Sequence, residues 1–126
     1  KACQTMAPNN KTTDVNMQLA YNLMAMKIRD RIMAEPGVAA ITEHMMDEFM
    51  TSLPMSRRKL IHGIVLSKHK DGWYIAVSLI LYYGYEIIPL CRKLQSEIIQ
   101  KWKEEEGITI KEIQIYIETV VNEEPI

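Results

Sequence analysis

The chain has 126 residues, a length that favours one domain and allows a core burying roughly two-thirds of the unfolded surface. It carries 15 basic and 16 acidic residues, a net charge of −1, which argues against holding nucleic acid by bulk electrostatics. The longest apolar run, Trp73 to Tyr83, has 11 residues, well short of the about 20 that a membrane-spanning helix needs.

Residues 1–13 are polar and contain Pro8 and Asn9-Asn10 without a period, which predicts a flexible leader. From Val15 to about Glu35 the spacing is helical. Met17, Ala20, Tyr21, Met24, Ile28 and Ile32 recur at steps of about three and four, and Leu19, Leu23 and Met26 widen the apolar face. Pro36 cannot continue this helix, and Gly37 is expected to close it in a left-handed cap or turn.

Between Val38 and Ser56 the residues Met45, Met46, Phe49, Met50 and Leu53 fit a short amphipathic helix, which Pro54 ends. Methionine side chains adapt to varied neighbours, so this stripe is read either as core packing or as a secondary partner surface. Its acidic residues Glu43, Asp47 and Glu48 suit an anionic membrane poorly.

A strand is expected from Leu60 to Ser67 and a five-residue turn from Lys68 to Gly72. Trp73–Tyr83 is the strongest strand. Its odd positions (Trp73, Ile75, Val77, Leu79, Leu81, Tyr83) and even positions (Tyr74, Ala76, Ser78, Ile80, Tyr82) are both largely apolar, which places it centrally. Gly84 ends it. Pro89 is read as the first residue of a helix carrying Leu90, Cys91, Leu94, Ile98 and Trp102 at a 3.6-residue period, and Gly107 closes that helix. Ile113, Ile115 and Ile117 then alternate with Glu112, Gln114, Tyr116 and Glu118 in a last half-buried strand.

The predicted architecture is an α/β chain of the α+β kind. It comprises a helix, a short helix, then strand–strand–helix–strand, forming a small three-stranded mixed sheet. The two outer strands of the strand–helix–strand portion run parallel, with a right-handed crossover, and two long helices pack on the odd face. Residues 14–121 form the domain and 122–126 a tail.

No catalytic, cofactor-binding or metal-ligating constellation is expected. His44, His62 and His69 match no ligand spacing, and no cysteine pair accompanies them. Glu104–Glu106 and Glu123-Glu124 are runs at element ends, not carboxylates converging from separate elements. The five glycines form no phosphate-binding loop. Cys3 lies in the polar leader and Cys91 on an apolar stripe, which gives no disulfide framework and suits a reducing cytoplasm. Two binding readings remain. Tyr74, Ile80, Tyr82 and Tyr116 share the even face, either as a self-association or partner face or as a second core layer. Arg57, Arg58, Lys59, Lys68 and Lys70 would be the cations of a small nucleic-acid-binding module.

The passage Leu81-Tyr82-Tyr83-Gly84-Tyr85-Glu86-Ile87-Ile88-Pro89 resembles the V-E-Y-G-x-x-I-P passage of the bacterial alkaline-shock family, also called general-stress or envelope-stress-response proteins. The hydrophobic strand before it, the helix Leu90–Trp102 after it and the closing Gly107-Ile108 with Ile110, Ile113 and Ile115 follow that family's order. Upstream, Ala34-Glu35-Pro36-Gly37-Val38-Ala39 resembles its E-V-P-G-V-A. The chain departs from the pattern in one extra residue at Ile87-Ile88, in Tyr82 where Glu is usual, and in a Met-rich region 43–59 where the family tends to glycine. The resemblance implies a cytoplasmic, non-enzymatic protein linked to cell-envelope stress. It further implies self-assembly and tethering to the inner membrane face by a separate membrane-anchored partner.

Overall fold

A computed structural model of the chain describes residues 2–43 and 58–123, with side chains from residue 18 in the first segment and residue 59 in the second. The expected helix Met45–Leu53, with the stripe of Met45, Met46, Phe49 and Met50, lies outside the described residues. So do His44 and Arg57.

Helix α1 runs from Ala2 to Met33, so the helix expected from Val15 begins at Ala2. Tyr21, Met24, Ala25, Ile28 and Ile32 form its buried face, at the three-and-four spacing that brings side chains to one side of a helix. The chain turns through Glu35, whose carbonyl accepts the Val38 N–H at 3.0 Å. Gly37 is not in the left-handed region, in contrast to the cap expected of it, since the positive-φ glycines are Gly63, Gly72, Gly84 and Gly107. It is glycine because of crowding: a Cβ there would overlap Leu90 Cδ1 and stand 2.8 Å from Tyr85 Cγ.

Among the described residues the sheet has five strands, not three. They are β1 (Val38–Thr42), β2 (Arg58–Ile61), β3 (Ile64–His69), β4 (Gly72–Tyr82) and β5 (Ile110–Val121). β4 is central. One of its edges is shared end to end, by β3 along residues 72–77 and by β1 along 78–81, both antiparallel. β5 lies along the other edge and runs parallel to β4, from Trp73↔Ile110 to Tyr82↔Val121. Val38-Ala39-Ala40-Ile41-Thr42 is too short and alanine-rich to announce a strand. Its pairing with the far half of β4 makes it one.

The single strand expected from Leu60 to Ser67 is a hairpin. His62 and Gly63 both have positive φ, 54° and 82°, the signature of a two-residue type I′ turn between Ile61 and Ile64. The next turn is also tighter than expected, because His69 pairs with Gly72 and only Lys70 and Asp71 connect them.

Helix α2 spans Ile87–Glu106, and Pro89 is its third residue rather than its first. At that position its missing N–H is still one of those with no partner inside the helix. Gly107 ends α2 in the left-handed region, and Ile108 N–H donates to the Trp102 carbonyl at 3.0 Å. Leu90, Leu94, Ile98 and Trp102 of α2 and the buried residues of α1 form one cluster with Trp73, Ile75, Val77, Leu79 and Leu81. Tyr83 drops out of that odd-position series, because β4 ends at Tyr82 and Tyr83 is exposed.

Candidate functional site

The closest approach to reactive geometry is at the β3–β4 turn. Ser67 Oγ lies 2.7 Å from His69 Nε2, and the His69 ring stands edge-on to Tyr74 with centroids 5.3 Å apart. The Tyr74 hydroxyl donates to Asp71 Oδ2 at 2.7 Å. That bond holds the Asp71 carboxyl below its ordinary range and raises the Tyr74 phenol above its own. A serine nucleophile needs an approachable oxygen and a base oriented by a third group. Ser67 is fully buried and the Asp71 carboxylate is engaged by tyrosine, so these four side chains hold the turn.

His62 occupies the other turn, where its carbonyl accepts from Arg29 Nη1 at 3.0 Å. Cys91 is half-buried on α2, and desolvation pushes its thiol pKa up, away from a reactive thiolate. Among the described residues no group of three or more His, Cys, Asp or Glu side chains could hold a metal.

Two of the cations considered for nucleic acid lie against rings. Lys59 Nζ sits 5.9 Å above the Tyr21 ring and Lys68 Nζ 5.7 Å above Trp73, while Tyr21 and Trp73 meet edge-to-face at 5.0 Å. Lys70 is exposed in the turn. The sequence gives no periodic sign of this arrangement, because Tyr21 and Trp73 are far apart in the chain.

A second charged cluster joins the two helices. Arg31 donates to Glu35 at 3.0 Å and also to Glu97, and Lys93 reaches Glu35 at 3.2 Å. Glu35 is buried, so these cations supply the pairing its carboxylate needs. The bond from Arg31 holds the Glu97 carboxyl below its ordinary range.

The structure brings Tyr74, Ile80, Tyr82 and Tyr116 to one sheet face, with Ser78 of β4 opposite Tyr116 of β5. All four are half-buried, and Val65, Ser67, Ala76 and Ser78 on the same face are fully buried. Thr42 Oγ1 donates to Glu118 Oε1 at 2.8 Å.

A surface the sequence reading did not single out lies where β4 passes into α2. Tyr83 and Ile88 are each 63% exposed, and Tyr85, Ile87 and Val121 are exposed beside them. Tyr83 N–H donates to the Val121 carbonyl at 2.8 Å, which fastens this loop to the end of β5. The run Tyr83-Gly84-Tyr85-Glu86-Ile87-Ile88 was legible as punctuation; its apolar content at a turn was the available signal.

The described residues thus form an α+β domain in which two helices and a curled five-stranded sheet share a core, with exposed apolar side chains gathered where β4 passes into α2. The chain belongs to the alkaline shock protein (ASP-23) family, described as having a cell envelope-related function, whose family model matches residues 9–122. Comparison with curated proteins and with solved structures gives no match. Among the described residues no helix is long and apolar enough to cross a membrane.

Proposed function

We propose that this chain is a non-enzymatic scaffold or interaction protein of the cell-envelope stress response. In this reading it associates with itself and is held at the cytoplasmic face of the membrane by a separate anchor protein. The observation that carries the reading is the exposure of Tyr83, Tyr85, Ile87 and Ile88. These residues belong to the passage that resembles the alkaline-shock family, yet they lie outside the buried core cluster. A contiguous apolar surface on a folded domain marks an interaction site. The half-buried Tyr74, Ile80, Tyr82 and Tyr116 form a second surface of the same kind.

Light scattering on the full chain after size exclusion tests the reading. The wild type should exceed monomer mass, and Tyr83→Asp with Ile88→Asp should return it to monomer with the fold intact. Ile80→Glu with Tyr82→Glu should do the same, whereas unfolding of that variant would assign those residues to the core. A membrane-anchored protein captured from native lysate by the wild type and lost in the loop variant supports the tether. A monomeric wild type, or a salt-dependent shift of RNA in a gel, would overturn the reading.

A further inference from the structure

The outer side of α1 carries a second apolar row that the core does not use. Leu19, Leu23, Met26 and Met33 are between 39 and 56% exposed, and Asp30 is exposed among them. From Leu19 through Leu23, Met26 and Asp30 to Met33 the steps are four, three, four and three. That alternation is the seam along which one helix packs on another. Sheet packing is already provided for, because α1 turns its other face, Tyr21 to Ile32, onto the strands. In the same register the preceding residues are Asn16 and Thr12, so the apolar seam covers only about two heptads, roughly 21 Å of helix.

Charge narrows the occupant. Each cation near Asp30 on α1 is already engaged: Lys27 with Glu106 at 3.0 Å, Arg31 with Glu35 and Glu97, and Arg29 with the His62 carbonyl. Among the described residues no cation bridges the Asp30 carboxylate. Covering it with apolar side chains alone would bury an unpaired charge, which is costly. A second copy of the chain would set Asp30 against Asp30 in parallel, or against a seam Met or Leu in antiparallel. An anionic bilayer would meet a carboxylate in the middle of the stripe, and the α1 cations beside it, Lys27 and Arg31, are already bound to carboxylates.

We propose that the Leu19–Met33 face of α1 docks an amphipathic helix of a protein partner that carries a lysine or arginine opposite Asp30. The proposal rests on the reading of the chain as an interaction protein and names the chemistry of one partner.

The test uses the full chain and two synthetic helical peptides on the order of 20 residues long, matched to the seam. Both have leucine at the seam positions, and they differ only in lysine or glutamate at the central one. The lysine peptide should bind saturably and about tenfold more tightly than the glutamate peptide. Asp30→Lys should reverse that preference. Leu23→Glu should abolish binding of both peptides while leaving the unfolding midpoint unchanged, since Leu23 is exposed. Equal affinity for the two peptides, or no binding, would overturn the proposal. Leu23-dependent binding to phosphatidylglycerol vesicles, or Leu23-dependent dimerisation of the chain, would also overturn it, in favour of lipid or of a second copy. Loss of self-association in the Tyr83/Ile88 variant concerns the earlier reading alone and leaves the peptide preference readable.

Discussion

Gly37 and Leu90 are packed so closely that no β-carbon fits between them: one built on Gly37 would overlap Leu90 Cδ1, with Tyr85 Cγ 2.8 Å away on the other side. Leu90 is buried in the shared core, and the Gly37 carbonyl accepts the Tyr82 N–H at 2.9 Å. The link between α1 and β1 therefore cannot retreat without breaking a bond to β4. Gly37→Ala should lower stability by about 1–3 kcal/mol, the usual cost of forcing extra volume into a packed site. Urea unfolding measures it, and a variant as stable as wild type would show that the Leu90 side chain moves aside freely.

The hairpin turn at His62-Gly63 offers a substitution expected to do no harm. Both residues sit at positive φ, and Asn-Gly is the favoured pair for such a turn. The bond to Arg29 uses the His62 backbone carbonyl, which Asn retains. His62→Asn should therefore hold or raise the melting temperature. Gly63→Ala should lower it, because a Cβ there would meet Ile41 Cγ2 at 2.8 Å at a φ of +82°.

Exposure separates two aliphatic residues of α2. Leu94 is fully buried, and Leu94→Ala should cost about 2–5 kcal/mol through lost transfer energy and a residual cavity. Ile88 is 63% exposed, and Ile88→Ala should change stability by no more than about 0.5 kcal/mol. Paired denaturant titrations check the contrast, and equal losses would place Ile88 in the core.

The bond between Tyr74 and Asp71 should show itself as a pH window. Asp71 has its folded pKa lowered, so its contribution is present above the unfolded carboxylate value and is lost as pH falls toward the folded one. Tyr74 has its folded pKa raised, so its contribution is present below the unfolded phenol value and is lost as pH rises through the folded one. The melting-temperature difference between wild type and Tyr74→Phe should be constant through the neutral range and shrink at both extremes. NMR titration of the variant should find the Asp71 midpoint moved up toward that of an ordinary carboxylate. A midpoint unchanged by the substitution would dispose of the bond.

Much of the frame is local and can be read directly from residue order. Apolar residues at both odd and even positions of Trp73–Tyr82 mark a central strand, and Leu90, Leu94, Ile98 and Trp102 mark the buried face of α2. Gly107 marks its end. Each of these signals lies within a dozen or so neighbouring residues, where side-chain period and backbone freedom act without help from the rest of the chain. Other features exist only through long-range pairing. Val38–Thr42 is a strand because the far half of β4 offers it an edge, and Gly37 is glycine because Leu90 and Tyr85 arrive from elsewhere in the chain. The surfaces divide in the same way. The sequence placed Tyr74, Ile80, Tyr82 and Tyr116 on one face, and the parallel register of β4 and β5 brings them together. It also placed Leu19, Leu23 and Met26 with the rest of the apolar face of α1, but the sheet accommodates only the Tyr21–Ile32 side. Helical spacing creates both apolar rows, and only tertiary packing decides which row is left facing solvent.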